Sequence, residues 1–134
     1  MRYLPCWKQI GISADRYREL LHYCRQYPEW KMEASSLLGL KAVKADGLPH
    51  GSGKSDPVAA AAERREKLLN KIDLIDECAK SICGGDWYAA IIQNVCIGKA
   101  WTQMDKALMP TSDKNSFFSV RRQFFDLLNK KTEQ

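Results

Sequence analysis

Apolar residues recur along this sequence at helical spacing, and no segment alternates apolar and polar residues for long, as a strand would. The first clear stripe, at positions i, i+3, i+4 and i+7, consists of Tyr17, Leu20, Leu21 and Cys24. This spacing places the four side chains on one face and predicts a helix that begins after Ser13 and ends near Gln26. Because no Asn-Gly or Asp-Gly turn joins two β-branched runs, the pattern predicts an all-α fold.

A second, shorter helix and a linker follow. Pro28 suits the first turn of a helix, so we expect a helix over residues 28–38 that ends at Gly39. Residues 39–55 hold four of the eight glycines and show no sustained period. The sequence therefore predicts a flexible linker over residues 39–55, between an N-terminal helical region, residues 1–38, and a C-terminal unit, residues 56–134.

The longest helix is predicted directly after this linker. Asp56 can accept hydrogen bonds from free backbone amides, Pro57 suits the first turn, and Gly84-Gly85 ends the helix. Its apolar stripe has steps of 4, 3, 4 and 3 and consists of Leu68, Ile72, Ile75, Ala79 and Ile82. Such a stripe packs lengthwise against another helix, which makes it a core face or the seam of a homodimer.

Three further helices are predicted in the last fifty residues. Asp86 can cap a helix that ends by Gly98, and Thr102 can cap a short helix over residues 103–109, which Pro110 stops. A turn then leads into a helix over residues 114–130. The inward face of that helix is apolar and consists of Phe117, Val120, Phe124 and either Leu127 or Leu128. The order of a medium helix, a short helix, a turn of about four residues and a longer final helix is typical of a helix-turn-helix DNA reader.

Length and composition limit the classes of function that this chain can have. With 134 residues, of which 45% are apolar and 28% charged, the chain is too short for a large multidomain enzyme. The longest apolar run, residues 87–92, is far shorter than the roughly twenty residues that cross a bilayer. We therefore expect a soluble intracellular protein with no membrane partner.

The cysteines and histidines do not form a metal-binding or catalytic motif. The five cysteines include no C-x-x-C pair, and only two histidines are present, so we expect no metal, no cofactor and no enzyme activity. Residues 51–55 resemble the end of a phosphate-binding loop, but that loop requires glycine at position 48, which is Leu48. We interpret this segment as part of the linker.

The net charge of +5 is split into +3 in residues 1–50, zero in residues 51–100 and +2 in residues 101–134, and within the last segment +4 lies on the final predicted helix. Between residues 114 and 131 there are five cations and a single anion, Asp126, whereas residues 51–100 balance seven cations with seven anions. A cationic helix next to a short helix is the arrangement that phosphate and base contacts require. The other interpretation is a core helix whose exposed cations only solvate it.

Helical geometry assigns the candidate DNA contacts. With Phe117 facing inward, Asn115, Ser119 and Arg122 lie on the far side, where they can contact bases. Flanking residues that can contact phosphates are Lys114, Ser116 and Arg121. Phe118 can touch a thymine methyl group or a partner. The short helix adds Thr102 and Gln103.

Several segments resemble a known family. They are Arg16-Tyr17-Arg18-Glu19-Leu20, Cys24 through Lys31, Ser55 through Ala59, Glu63-Arg64-Arg65, Phe117-Phe118 and Arg121 through Leu128. Over about residues 10–131 the chain is similar to phage and prophage late-gene transcriptional regulators of the RinA and ArpU type. The resemblance implies a sigma-factor-like C-terminal helix-turn-helix, double-stranded DNA as ligand, RNA polymerase as a further partner, and a place in the cytoplasm of a bacterial host.

A second functional class fits the same basic, aromatic helix. A non-enzymatic phage protein would use it to bind and modulate a host protein, either RNA polymerase or a defence nuclease of the kind that anti-CRISPR proteins inhibit. The two hypotheses differ in whether the helix binds a specific duplex or a protein.

Overall fold

A computed structural model of the chain describes residues 4–43 and 56–133, and helices make up most of both ranges. The α-helices are α1 (Cys6–Gln9), α2 (Ala14–Arg25), α3 (Tyr27–Val43), α4 (Pro57–Ser81), α5 (Tyr88–Ile91) and α6 (Lys114–Thr132). A π-helical turn, Ile92–Ile97, continues α5, and three 3-10 turns occupy Ile82–Gly85, Trp101–Gln103 and Lys106–Leu108. Neither described range contains a strand. The predicted all-α class is confirmed.

Side-chain caps begin α2, α4 and α6. Ser13 accepts a hydrogen bond from the backbone amide of Arg16, and Asp56 accepts two from the first turn of α4, where Pro57 occupies the first position. Asp113 caps α6 in the same manner. These caps satisfy amides that have no partner inside the helix, which is why local sequence predicts these starts well.

The second predicted helix is longer in the structure. α3 runs from Tyr27 to Val43 and passes through Gly39, where the sequence predicts its end. A single glycine costs a helix only about 1 kcal/mol, and the leucine, lysine and alanine that follow are good helix formers. The first five residues of the predicted linker are therefore helical. The rest of it, with the phosphate-loop-like residues 51–55, lies outside the described residues.

One hydrophobic core joins the elements on both sides of this gap. Buried side chains of α2 and α3 belong to the same cluster as those of α4, α5 and α6. The fully buried aromatic rings in it are Phe117, Phe124 and Phe125. The described parts of the chain thus share one core.

The stripe on α4 is buried, as its spacing predicts. Each of its five members is no more than 8% exposed, although the last, Ile82, lies in the 3-10 turn that follows α4, and α3 packs along the same helix. Because the chain's own core covers the stripe, it does not serve as an open seam for a homodimer. A homodimer would have to use another surface.

The region before α6 departs most from the prediction. In place of a short α-helix over residues 103–109, the chain forms two 3-10 turns, and Asp105 caps the second through the amide of Ala107. Met104, between the turns, has an extended backbone (φ −82°, ψ 146°) and a side chain buried in the core, and this extended residue interrupts the helical path. Upstream, Asp86 does not cap α5. The element that precedes the final helix is therefore a pair of tight turns, not the predicted short helix.

Candidate nucleic-acid interface

The first half of α6 forms a ridge between two depressions in the protein surface. The inward face is buried as predicted, at Phe117, Val120 and Phe124. Asn115 borders both depressions and so lies at the crest of the ridge. Arg122 borders one depression and Ser119 the other. The three residues predicted to contact bases therefore lie along the outward side of α6.

One of these depressions is a cleft between the N-terminal segment and α6, here called the α1–α6 cleft. The N-terminal segment contributes Leu4, Cys6 and Gln9, and α6 contributes Lys114, Asn115, Phe118, Arg121 and Arg122. These described lining residues include three cations and no carboxylate. The cleft is consequently a surface of positive potential with apolar patches.

Arg121 is fixed by contacts inside the protein. Its Nε donates to Asn94 Oδ1 and its Nη2 donates to the Tyr17 hydroxyl, each over 2.8 Å. The guanidinium also lies 4.9 Å from the centroid of the Phe125 ring. The sequence predicts Arg121 as a phosphate contact, but the structure uses two of its three nitrogens to join α6 to α2 and the π-helical turn. Arg121 therefore positions α6, and only its third nitrogen, Nη1, takes part in neither of these hydrogen bonds.

Arg122 and Lys114 are the other cations of the cleft. Arg122 makes no hydrogen bond or ion pair within residues 4–43 and 56–133. Lys114 is exposed, and its ammonium lies 5.9 Å from the centroid of the Phe118 ring. Arg122 is half-buried, and both cations line the cleft, where an anion can reach them.

The Cys6 thiol lines the same cleft as Arg121 and Arg122, on the wall opposite α6. Burial raises the pKa of Cys6, while the positive charges of Arg121 and Arg122 act in the lowering direction. The thiol is therefore mainly protonated near neutral pH. The N-terminal segment thus lies within electrostatic reach of α6.

Two of the remaining candidates on α6 make contacts within the protein. Ser116 donates its hydroxyl to Asp113 Oδ2 over 2.7 Å, and this bond holds the pKa of Asp113 below its usual value. Phe118 is half-buried and packs its edge against Phe117, with 5.1 Å between ring centroids. Ser119 is half-buried in the second depression.

Thr102 and Gln103 are exposed on the first 3-10 turn. The Gln103 side chain accepts a hydrogen bond from the amide of Ala100, which stabilises the turn. Trp101 of this turn packs against Phe117 with 5.3 Å between ring centroids. This contact joins the turn to α6 even though the predicted short helix is absent.

The sequence does not predict that Leu4, Cys6 and Gln9 belong to the site. They lie more than one hundred positions before α6 and carry no motif, so no local signal connects them with it. Their role as the second wall of the cleft arises only from tertiary packing.

Residues 4–43 and 56–133 also bear on metal sites and membrane spans. No three or more His, Cys, Asp or Glu side chains come together there in an arrangement that could hold a metal ion. None of the helices in these ranges is both long and apolar enough to cross a membrane.

Comparison with known proteins adds no relative. No protein-family model matches the chain, and neither curated proteins nor solved structures give a match.

Proposed function

We propose that this chain is a phage- or prophage-encoded transcriptional regulator that binds a specific double-stranded DNA sequence through the first half of α6. In this proposal the ridge enters the major groove, where Asn115 and Arg122 contact base edges and Lys114 contacts a phosphate. RNA polymerase is a further partner, and the protein acts in the cytoplasm of a bacterial host.

The observation that carries the proposal is the charge and exposure of this ridge. Lys114 and Asn115 are exposed, Arg122 has no partner among the described residues, and no acidic residue occurs from Lys114 to Phe125. Asp113, which caps this end of α6, is hydrogen-bonded to Ser116. A helix face with cations and an exposed amide side chain has the chemistry that base and phosphate contacts need.

The roles of the other candidates follow from their contacts. Arg121 fixes the orientation of α6 and contributes at most one nitrogen to a phosphate. Ser119 and Phe118 flank the ridge on its two sides, and the exposed Thr102 and Gln103 belong to a turn that packs on α6 through Trp101. The turn takes the place of the helix that crosses the phosphate backbone in a helix-turn-helix reader.

The test is selection of bound sequences from a random pool of duplexes, followed by affinity measurements on the enriched site. We expect one enriched motif, and we expect Arg122→Ala and Asn115→Ala to weaken binding by about tenfold each, since one base contact is worth roughly 1–3 kcal/mol.

Lys130→Ala is the matched control. Lys130 lies on the same helix, is exposed, and pairs with Asp126 over 3.1 Å. It should leave the affinity for the enriched site unchanged. A pool that yields no motif, or equal affinities for the wild-type and Arg122→Ala proteins, would contradict the proposal and favour a protein partner.

A further inference from the structure

The α1–α6 cleft has the size and lining of a small-molecule site. Its volume is about 420 Å³, within the roughly 300–1,000 Å³ of ligand pockets in proteins. One part of its lining is apolar, with Leu4, Cys6 and Phe118, and Leu4 is 59% exposed. An exposed leucine that faces an aromatic ring across a cleft is apolar surface that a ligand can cover.

The other part of the lining is a group of three cations. Arg121 is held rigid by Asn94, Tyr17 and the Phe125 ring, so binding through its Nη1 orders no flexible side chain. Arg122 and Lys114 line the cleft beside it. Three like charges repel one another, and an anion seated among them removes that repulsion.

We propose that the α1–α6 cleft binds a small amphipathic anion, in which a carboxylate or phosphate head group is joined to an apolar chain or ring. The head group contacts Arg121, Arg122 and Lys114, and the apolar part packs on Phe118 and Leu4. A neutral apolar molecule would leave the three charges uncompensated. A DNA strand alone would leave the exposed apolar wall uncovered.

This inference does not depend on DNA binding. One consequence does rest on the proposed function: Arg122 and Lys114 belong both to the cleft and to the ridge, so an occupied cleft competes with the duplex. The small molecule would then release the protein from DNA.

The test uses octanoate as the probe, with octan-1-ol and butyrate as comparison compounds, titrated into the full chain without DNA and followed by calorimetry or by backbone amide shifts. We expect octanoate to bind at least about tenfold more tightly than octan-1-ol, because charge-assisted hydrogen bonds to the arginines are lost in the alcohol. Affinity should rise about fourfold for each methylene added between butyrate and octanoate, since burying one methylene is worth about 0.8 kcal/mol.

Two variants assign the binding to the cleft. Arg122→Gln should weaken octanoate binding by about tenfold, and Lys130→Gln on the same helix should not change it. Arg121 is not substituted, since its loss would disturb the fold. Octanoate that binds no more tightly than octan-1-ol, or equally well to the Arg122→Gln protein, would overturn the proposal.

A separate measurement distinguishes this inference from the proposed function. If octanoate binds as expected but no duplex does, the cleft proposal stands and the DNA proposal fails. If a specific duplex binds but octanoate does not, the DNA proposal stands and the cleft proposal fails. When both bind, octanoate should displace a fluorescent duplex at concentrations near its own dissociation constant.

Discussion

Arg121 on α6 donates a hydrogen bond from Nη2 to the hydroxyl of Tyr17 on α2 over 2.8 Å, and this bond joins residues 104 positions apart. Because Nε of the same guanidinium donates to Asn94, one side chain connects three elements of the core. The orientation of α6, and with it the position of the ridge, depends on this connection.

We expect Arg121→Ala to lower the free energy of unfolding by about 2–3 kcal/mol, since two hydrogen bonds from a charged donor and a stacking contact are lost together. Arg121→Lys should recover little of this, because an ammonium cannot reproduce the planar fork. Urea unfolding followed by circular dichroism measures both variants. Arg122→Ala, one residue further, should change stability by less than about 0.5 kcal/mol. Equal losses of unfolding free energy for the two alanine variants would show that the hydrogen bonds of Arg121 stabilise the fold no more than Arg122 does.

Gly98, which ends the π-helical turn, should tolerate a side chain poorly. Its φ is +93°, and a Cβ there would lie 3.1 Å from Nη1 of Arg25, whose Nε donates to the Val95 carbonyl over 2.8 Å. Gly11 is the matched control, since its φ is +78° but nothing lies within 4 Å of its Cβ position. Backbone strain of about 1–2 kcal/mol is common to both alanine variants, and the contact with Arg25 should add about 1 kcal/mol at Gly98 only.

Thermal or urea unfolding of the two variants measures this difference. In the background of Arg25→Ala the added cost at Gly98 should disappear, which a double-mutant cycle detects. An unchanged difference in that background would assign the cost to something other than Arg25.

Two tyrosines should make the protein lose stability in alkali. The hydroxyls of Tyr27 and Tyr88 both donate to Asp76 Oδ1, over 2.7 and 2.6 Å. Burial, together with the hydrogen bonds around Asp76, raises the pKa of both tyrosines above the ordinary value of 10.0. Each therefore stabilises the fold fully below pH 10, and this contribution is lost as the pH rises above 10, because only the unfolded chain then releases the proton.

The measurement is urea unfolding of the wild-type and Tyr88→Phe proteins between pH 7 and pH 11. The difference in unfolding free energy should stay constant up to about pH 9 and then narrow by up to about 1.4 kcal/mol per pH unit. A difference that stays constant to pH 11 would mean that the Tyr88 hydroxyl ionises alike in both states.

The proposed DNA contact of Lys114 predicts a specific change in salt dependence. If its ammonium neutralises one phosphate, Lys114→Ala should reduce the slope of log affinity against log salt concentration by about 0.9 and weaken binding to all duplexes alike. Lys130→Ala, about 24 Å further along the helix axis, should leave the slope unchanged. Fluorescence anisotropy between 50 and 300 mM salt, roughly the range in which phosphate contacts are resolved, measures both slopes. Parallel slopes for the wild-type and Lys114→Ala proteins would remove Lys114 from the interface.

Local patterns in the sequence determined the helices and their buried faces. The starts of α2, α4 and α6 and the stripe on α4 are where short-range spacing predicts them, because a helix start or a helical face depends on residues at most a few positions apart. The same patterns misjudged the end of α3 and the helix over residues 103–109. In the latter, burial of Met104 in the core outweighs local helix preference.

Only the tertiary structure decides which cations of α6 have no hydrogen-bond partner among the described residues, and which side chains lie beside them. By itself the sequence determined an all-α chain with a basic, aromatic final helix. It could not separate Arg121, which is engaged by Tyr17 and Asn94, from its neighbour Arg122, nor place Leu4 and Cys6 across a cleft from α6. These relationships join residues 27 to more than 100 positions apart, and only the packing of the folded core fixes which of them meet.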